Sequence, residues 1–342
     1  VPTPTATGRR LRLERVEIIG AAFGVVGICL VALVAPNLSD DTRALAFEPP
    51  PDPLEWSFSP PTVVTVIGIV FIVTGVLSLV RATPPRVATW ARLVSAVLVV
   101  PLILALALAL SNAPSTNVVN LLDESLVLAT PIALGSMTGL WCERSGIINI
   151  GIEGMMLAGA GVGYMSYAIL PGEATSAGWL WFSILIAVFT GGLLATLHAI
   201  LCIHYNVNQI VSGVVINLFA LGMTGFLRSE VIVPSGNTTG TATSEIGIPL
   251  LQEIPIVGDE LFRGKPIYFL MYLVVFFTWV IMFRTPWGLR VRSSGENPHA
   301  AETLGIDVIP IRYQAVILGG FIAGLGGAWF SLEAQARFED NM

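Results

Sequence analysis

Long apolar runs, repeated along the chain, constrain its fold more than any other feature. Windows near 16–35, 62–80, 93–110, 124–142, 147–170, 178–203, 208–227, 266–284 and 312–332 are rich in Leu, Ile, Val, Ala and Phe and poor in charge. A helix needs about 20 apolar residues to cross a bilayer. In lipid its backbone groups must all be bonded internally, which helices achieve segment by segment. The runs therefore predict an all-α fold, a polytopic integral membrane helical bundle of about nine spans. Composition agrees: 54% of the 342 residues are hydrophobic and 12% charged, where a soluble domain carries about 25% charged residues. The net charge of -6 decides little, because the side each charge occupies matters more than the sum.

Orientation follows from the basic residues. Residues 1–15, VPTPTATGRRLRLER, form a basic lead. The run after it is long enough to span, so it reads as an anchor and not a cleaved leader. With that lead in the cytoplasm and the spans alternating, Arg9, Arg10, Arg12, Arg15, Arg81, Arg86, Arg92, Arg144, Arg284, Arg290, Arg292 and Arg312 fall inside. Arg43, Arg228, Arg263, Lys265 and Arg337 fall outside. Twelve inside, out of 17 Lys and Arg in all, is the expected positive-inside bias. The outer loops are acidic, with Asp40, Asp41, Glu48, Asp52 and Glu55 in one and Glu230, Glu245, Glu253, Asp259 and Glu260 in another.

The loops differ in kind. Residues 36–61 hold AFEPPPDPLEW, whose prolines predict an extended path. SGNTTGTATSEIG, within residues 228–265, suits an exposed outer loop. The inner loop 285–311 predicts a short helix, opened by Asn297 or Pro298, continued by HAAETLG and closed by Gly305. Inside the spans, LAGAGVG (157–163) and GGFIAGLGGA (319–328) offer small surfaces for close helix packing. Cys29, Cys142 and Cys202 have no metal or disulfide spacing and read as small buried hydrophobes. His198, His204 and His299 form no ligand cluster, so no metal site and no catalytic set is expected.

One stretch breaks the apolar pattern. Between two apolar runs lies CERSGIINIGIEGMM, residues 142–156. Glu143, Arg144 and Ser145 read equally well as a polar turn capped by Gly146 or as an intramembrane group. Asn149 and Glu153 are four apart, hence on one helical face, and Gly151 and Gly154 weaken the helix beside them. This predicts a discontinuous helix near 143–156 with Asn149 and Glu153 lining a solute pathway, since irregular backbone at membrane depth borders protein or water. A second polar seam runs from Asn206 through Asn208, Gln209, Ser212 and Asn217. Its uncharged donors and acceptors suit a neutral hydrogen-bonding solute; polar contacts between helices are the alternative.

Three segments carry a family resemblance: TPIALGSMTGLWCERSGIINIGIEGMMLAGA, NQIVSGVVINLFALGMTGFL and GLRVRSSGENPHAAETLGIDVIPIRYQAVILGGFIAGLGGA. In that order they resemble the permease subunits of ATP-binding-cassette importers for ribose, branched-chain amino acids and nucleosides, and ERSGIINIGIEGMM looks most like the nucleoside-type, simple sugar-like branch. The resemblance begins near residue 121, leaving 16–110 as amino-terminal accessory helices and 121–342 as a permease core, expected to be incomplete at its carboxyl end. It implies that Glu296, Asn297, His299, Ala300, Ala301 and Gly305 belong to a coupling helix docking on a separate ATPase, which would bind the ATP and magnesium. A second permease subunit, identical or homologous, and an extracytoplasmic substrate-binding protein are the further partners it implies, in a bacterial inner membrane.

Other classes are tested by the residues themselves. Lys265, the lone lysine, lacks the glycine-rich loop that cradles phosphates. An intramembrane enzyme would need a nucleophile–base pair or a His-Glu-x-x-His set, and the sequence holds neither. A secondary transporter or channel would need deep ion-coupling carboxylates, for which Glu153 is the single candidate in the spans. Nucleic acid is not an expected partner.

Overall fold

The computed structural model describes residues 15–46, 55–80, 83–110, 115–169, 177–236, 240, 242–252, 254 and 258–339. Arg9, Arg10 and Arg12 of the basic lead, Glu48, Asp52, Arg81, Glu253 and Met342 lie outside those residues. Among the described residues, eight helices have the length and apolarity to cross a membrane, the first spanning Glu17–Asn37 and the last Val308–Ala334. The protein is a polytopic helical membrane protein. The run near 147–170 supplies instead an 18-residue helix preceded by non-helical backbone. Its glycines, tyrosines and Glu153 keep it from qualifying with those eight.

Two compact units make up the chain, residues 1–121 and 122–342. In the first, α1 (Arg15–Cys29), which continues as a π-helical turn to Val34, packs on α2 (Pro60–Leu79), and α2 packs on α3 (Pro85–Leu110). Helix α2 opens on Pro60 and Pro61, whose fixed φ and missing N–H suit a first turn. Phe23 meets Phe71 edge-on at 5.0 Å, and the Thr74 and Ser95 hydroxyls pair at 2.7 Å between α2 and α3. After α1, β1 (Arg43–Ala46) runs antiparallel to β2 (Glu55–Phe58), with Leu45 opposite Trp56; the proline-rich stretch 47–54, expected to be extended, lies outside the described residues. The short strand β3 (Ser115–Asn117) joins β1 in parallel, with Leu45 opposite Thr116. Cys29, expected to be buried, is exposed on α1.

The second unit is built around α12 (Val308–Ala328), extended by a π-helical turn over Trp329–Ala334. Of the eight spans it is the most enclosed, 67% buried against 22–44% for the others. It packs on α5 (Ile152–Ile169) and α6 (Ala177–Ala199). Glycine permits the approach: a Cβ at Gly324 would lie 2.4 Å from the Ala187 carbonyl oxygen, and one at Gly191 would lie 2.4 Å from that of Gly320. The small-residue runs therefore form the helix contact itself.

Around this core stand α4 (Val118–Arg144), α7 (Gln209–Leu227) and α9 (Pro266–Arg284). Helix α4 is tied to α12 by the Thr138 hydroxyl, which donates to the Gly319 carbonyl at 2.9 Å. It is tied to α9 by the Trp141 indole, which donates to the Thr278 hydroxyl at 3.0 Å. On the way to α9 the chain forms a two-stranded ribbon, β4 (Ile246–Gly247) with β5 (Arg263–Gly264), and the short helix α8 (Gly258–Phe262). Between α9 and α12 lies a hairpin of α10 (Pro286–Glu296) and α11 (Pro298–Thr303).

Candidate functional site

The polar stretch expected to interrupt a helix does so. Helix α4 ends at Arg144, Ser145 and Gly146 turn, and residues 147–150 run without helical bonds until α5 begins at Ile152. Gly146 sits at φ +87°, a conformation glycine adopts without a Cβ penalty. The Glu143 and Arg144 side chains are exposed at the end of α4, and Ser145 is buried with its hydroxyl donating to the Cys142 carbonyl at 2.7 Å.

A broken helix frees backbone groups, and in a membrane each needs a partner. Here the amides of the polar seam provide them. The Ile148 N–H donates to Gln209 Oε1 at 2.7 Å. The Gly154 N–H, free in the first turn of α5, donates to Asn217 Oδ1 at 2.8 Å, while Asn217 Nδ2 donates to the Ile150 carbonyl at 3.1 Å. Asn149 is buried and folds back, its Oδ1 accepting from the Gly151 N–H at 2.9 Å. Asn208 caps α7, accepting from Ile210 N–H at 2.9 Å and Val211 N–H at 3.4 Å. Asn149, Asn208, Gln209 and Asn217 therefore all serve backbone in the structure.

Ser212 meets a residue that sequence reasoning passed over. His198 is fully buried in α6, with Nδ1 3.0 Å from the Ser212 hydroxyl and Nε2 3.2 Å from the Ile148 carbonyl. A carbonyl only accepts, so Nε2 carries the proton and Nδ1 faces the hydroxyl. The signal was present: a histidine inside an apolar run has to be satisfied by something. Helices α6 and α7 thus hold residues 147–150 in place.

Glu153 lies apart from this clasp. Its side chain lines a cavity of about 610 Å³ between α4 and α5, with Ser136, Pro131 and Gly135 of α4, Met156 of α5 and Phe330 from the π-helical turn of α12. The walls are apolar except at Glu153 and Ser136. Glu153 is not the deepest carboxylate, as the sequence suggested. Glu333, in that same π-helical turn, is fully buried. It accepts from the Ile267 N–H at 3.0 Å and from the Thr243 hydroxyl at 2.9 Å, so it caps the first turn of α9. The sequence placed the last span's end at 332, one residue short of it.

The inner loop has the expected helix. Asn297 Oδ1 accepts from the Ala300 N–H at 3.1 Å. At the other end Gly305, at φ +78°, lets its own N–H reach the Glu302 carbonyl and the Ile306 N–H reach that of Ala301, a Schellman closure. Ala301 is buried, whereas Glu296, His299, Ala300 and Leu304 are exposed. One arginine joins this hairpin to the broken helix: Arg312 donates through Nε to the Ser145 carbonyl at 3.1 Å and through Nη2 to the Ser294 carbonyl at 3.0 Å.

Comparison with known proteins decides the family. The family described as Branched-chain amino acid transport system / permease component matches residues 121–341. The chain belongs to this permease family. It is 37% identical over 216 residues to the guanosine ABC transporter permease protein NupQ of Bacillus subtilis, a region covering 62% of this chain and 66% of that relative. It is 36% identical over 235 residues to the nucleoside ABC transporter permease protein NupC of Lactococcus lactis, covering 65% of this chain and 71% of the relative. The chain thus spans about two thirds of the relatives it matches. No solved structure gives a significant match.

Within this permease, the family match contains the broken helix, its amide clasp, the cavity at Glu153 and the α10–α11 hairpin. Helices α1 to α3 lie before it.

Proposed function

We propose that this chain is the membrane permease subunit of an ATP-driven importer of nucleosides or a related neutral, polar solute. The observation that carries the reading is the open cavity of about 610 Å³ beside the broken helix, apolar except where Glu153 and Ser136 reach into it. An ionisable side chain at that position is costly in lipid, and a watery solute path relieves the cost. The relatives' transport of guanosine and nucleosides, stated in their names, supports the solute class. Asn149, Gln209, Ser212 and Asn217 shape the path by holding residues 147–150, Asn208 does so by capping α7, and Glu153 faces the solute.

The energy source in this reading is a separate ATPase, which binds the ATP and magnesium. The exposed face of α10 and α11, including Glu296, His299 and Ala300 with Leu304 at 81% exposure, is its docking surface. Asn297, Ala301 and Gly305 keep that surface in shape. Movement of the hairpin passes through Arg312 to the Ser145–Gly146 turn and so to the broken segment. A second permease subunit, identical or homologous, closes the open side of the cavity, and a binding protein supplies solute on the opposite face. The amino terminus and hairpin are cytoplasmic, in a bacterial inner membrane.

The test is uptake by proteoliposomes holding the full complex, with binding protein outside and ATP inside, of radiolabelled guanosine, ribose and leucine. ATP-dependent entry of guanosine alone is expected. Entry of ribose or leucine instead would overturn the solute class. Guanosine entry that ignores ATP would replace the importer with a secondary transporter or channel.

A further inference from the structure

A second cavity, of about 400 Å³, opens at the other end of the second unit. It is lined by Asp123 and Val127 of α4, Glu245, Arg263, Tyr268 and Trp329 among others. It takes the early turns of α4 and α9 and the last turn of α12. The α10–α11 hairpin joins the opposite ends of α9 and α12, so the 19 residues of α9, about 28 Å of helix, separate the two. The pocket therefore lies on the face away from the hairpin.

Two features link it to the cavity at Glu153. Along α4, Asp123 and Val127 line the outer pocket, and Pro131, Gly135 and Gly139 line the inner cavity. Spaced by four, they form one stripe on one helix face. The π-helical turn of α12 supplies the second link: Trp329 lines the outer pocket and its neighbour Phe330 the inner cavity, their rings 5.1 Å apart. The Glu333 carboxylate, bonded to Ile267 and Thr243, fixes that turn.

The outer pocket's charges are nearly all committed. Arg263 donates to Glu245 at 3.0 Å, and the Lys265 ammonium donates to the Glu333 carbonyl. Among the described residues no cation pairs with Asp123. Its carboxylate is left at a cavity whose other lining includes small parts of the buried Tyr268 and Trp329. A carboxylate has acceptor sites for two hydroxyls side by side.

We propose that this pocket is the entry station of the path, binding a neutral solute through vicinal hydroxyls donated to Asp123. This rests on the importer reading above and adds a recognition site to it.

The test uses the full complex in nanodiscs without binding protein. Val127→Cys is introduced on a Cys29→Ala background, since Cys142 and Cys202 are buried. Its labelling rate by a charged maleimide is measured with guanosine, with 2′,3′-dideoxyguanosine and with neither. Guanosine is expected to slow labelling at concentrations about tenfold below those the dideoxy compound needs, a gap the size of one charge-assisted hydrogen bond. Adding Asp123→Asn is expected to close that gap. Equal protection by both nucleosides in the Asp123 protein, or no protection by either, overturns the entry station even if the substituted chain fails to assemble. Proteoliposomes of the wild-type complex separate the two levels: ATP-driven guanosine uptake without protection sinks only this inference, and absence of uptake sinks the importer reading beneath it.

Discussion

At the scale of single residues, the polar side chains of the second unit divide by what they touch. Asn217 has both ends of its amide committed to backbone, the Gly154 N–H and the Ile150 carbonyl. Asn217→Leu leaves both unpaired, an effect of about 1–3 kcal/mol at most for the part-buried Gly154 N–H and less for the exposed Ile150 carbonyl. The expected outcome is a lower melting temperature for the detergent-solubilised protein, followed by tryptophan fluorescence. Glu153 has no such duty, so Glu153→Gln is expected to leave the melting temperature in place while changing guanosine uptake. If Glu153→Gln melted early and Asn217→Leu did not, the division between clasp and cavity would be wrong. Sequence reading put Asn149 and Glu153 on one helical face and Asn217 in a separate seam; Asn149 instead lies in the non-helical backbone before α5. The sequence had no means of telling which atoms backbone would claim, because Asn217 and Gly154 are 63 positions apart.

Elements fail or hold by their ends. Five of the described helices begin on proline, α2, α3, α9, α10 and α11, and α11 is legible almost residue by residue. Asn297→Ala removes its cap, worth about 1 kcal/mol, and Gly305→Val forces a branched residue to φ +78° at a cost of about 1–2 kcal/mol. Each is expected to speed hydrogen exchange over residues 298–305, measured by mass spectrometry, with little change in the spans. Arg312 acts between elements. Its guanidinium fork reaches two carbonyls on two segments, a geometry that lysine lacks. Arg312→Lys is therefore expected to raise exchange at both 145–151 and 290–297; a rise at only one would refute the clamp. From the sequence Arg312 was one of twelve arginines assigned to the inner side, with nothing to distinguish it.

For the whole molecule, the second unit depends on how closely α12 approaches α5 and α6. A side chain at Gly324 would meet the Ala187 carbonyl and the Val188 backbone, neither of which can rotate away. Gly324→Val is expected to force the helices apart, with overpacking costs at or above about 1–3 kcal/mol, and to broaden or abolish the monodisperse peak in size-exclusion chromatography. A normal elution profile and melting temperature would show that α12 can shift without loss. The glycine-rich runs announced close packing, but their partners came from the fold: Gly324 meets α6, and Gly327 would strike the Met156 carbonyl of α5.

By itself the sequence determined the membrane class, the approximate spans, the break after Arg144 and the short helix at Pro298–Thr303. These are local matters, fixed by apolar run length, by glycine and proline, and by capping side chains within a few residues of the backbone they serve. Tertiary structure decided what lies far apart along the chain: the His198 and Asn217 bonds to the broken segment, the burial of Glu333 against α9, and the alignment of two cavities on α4. Those depend on which helices become neighbours, and a buried polar group finds its partner only once they have.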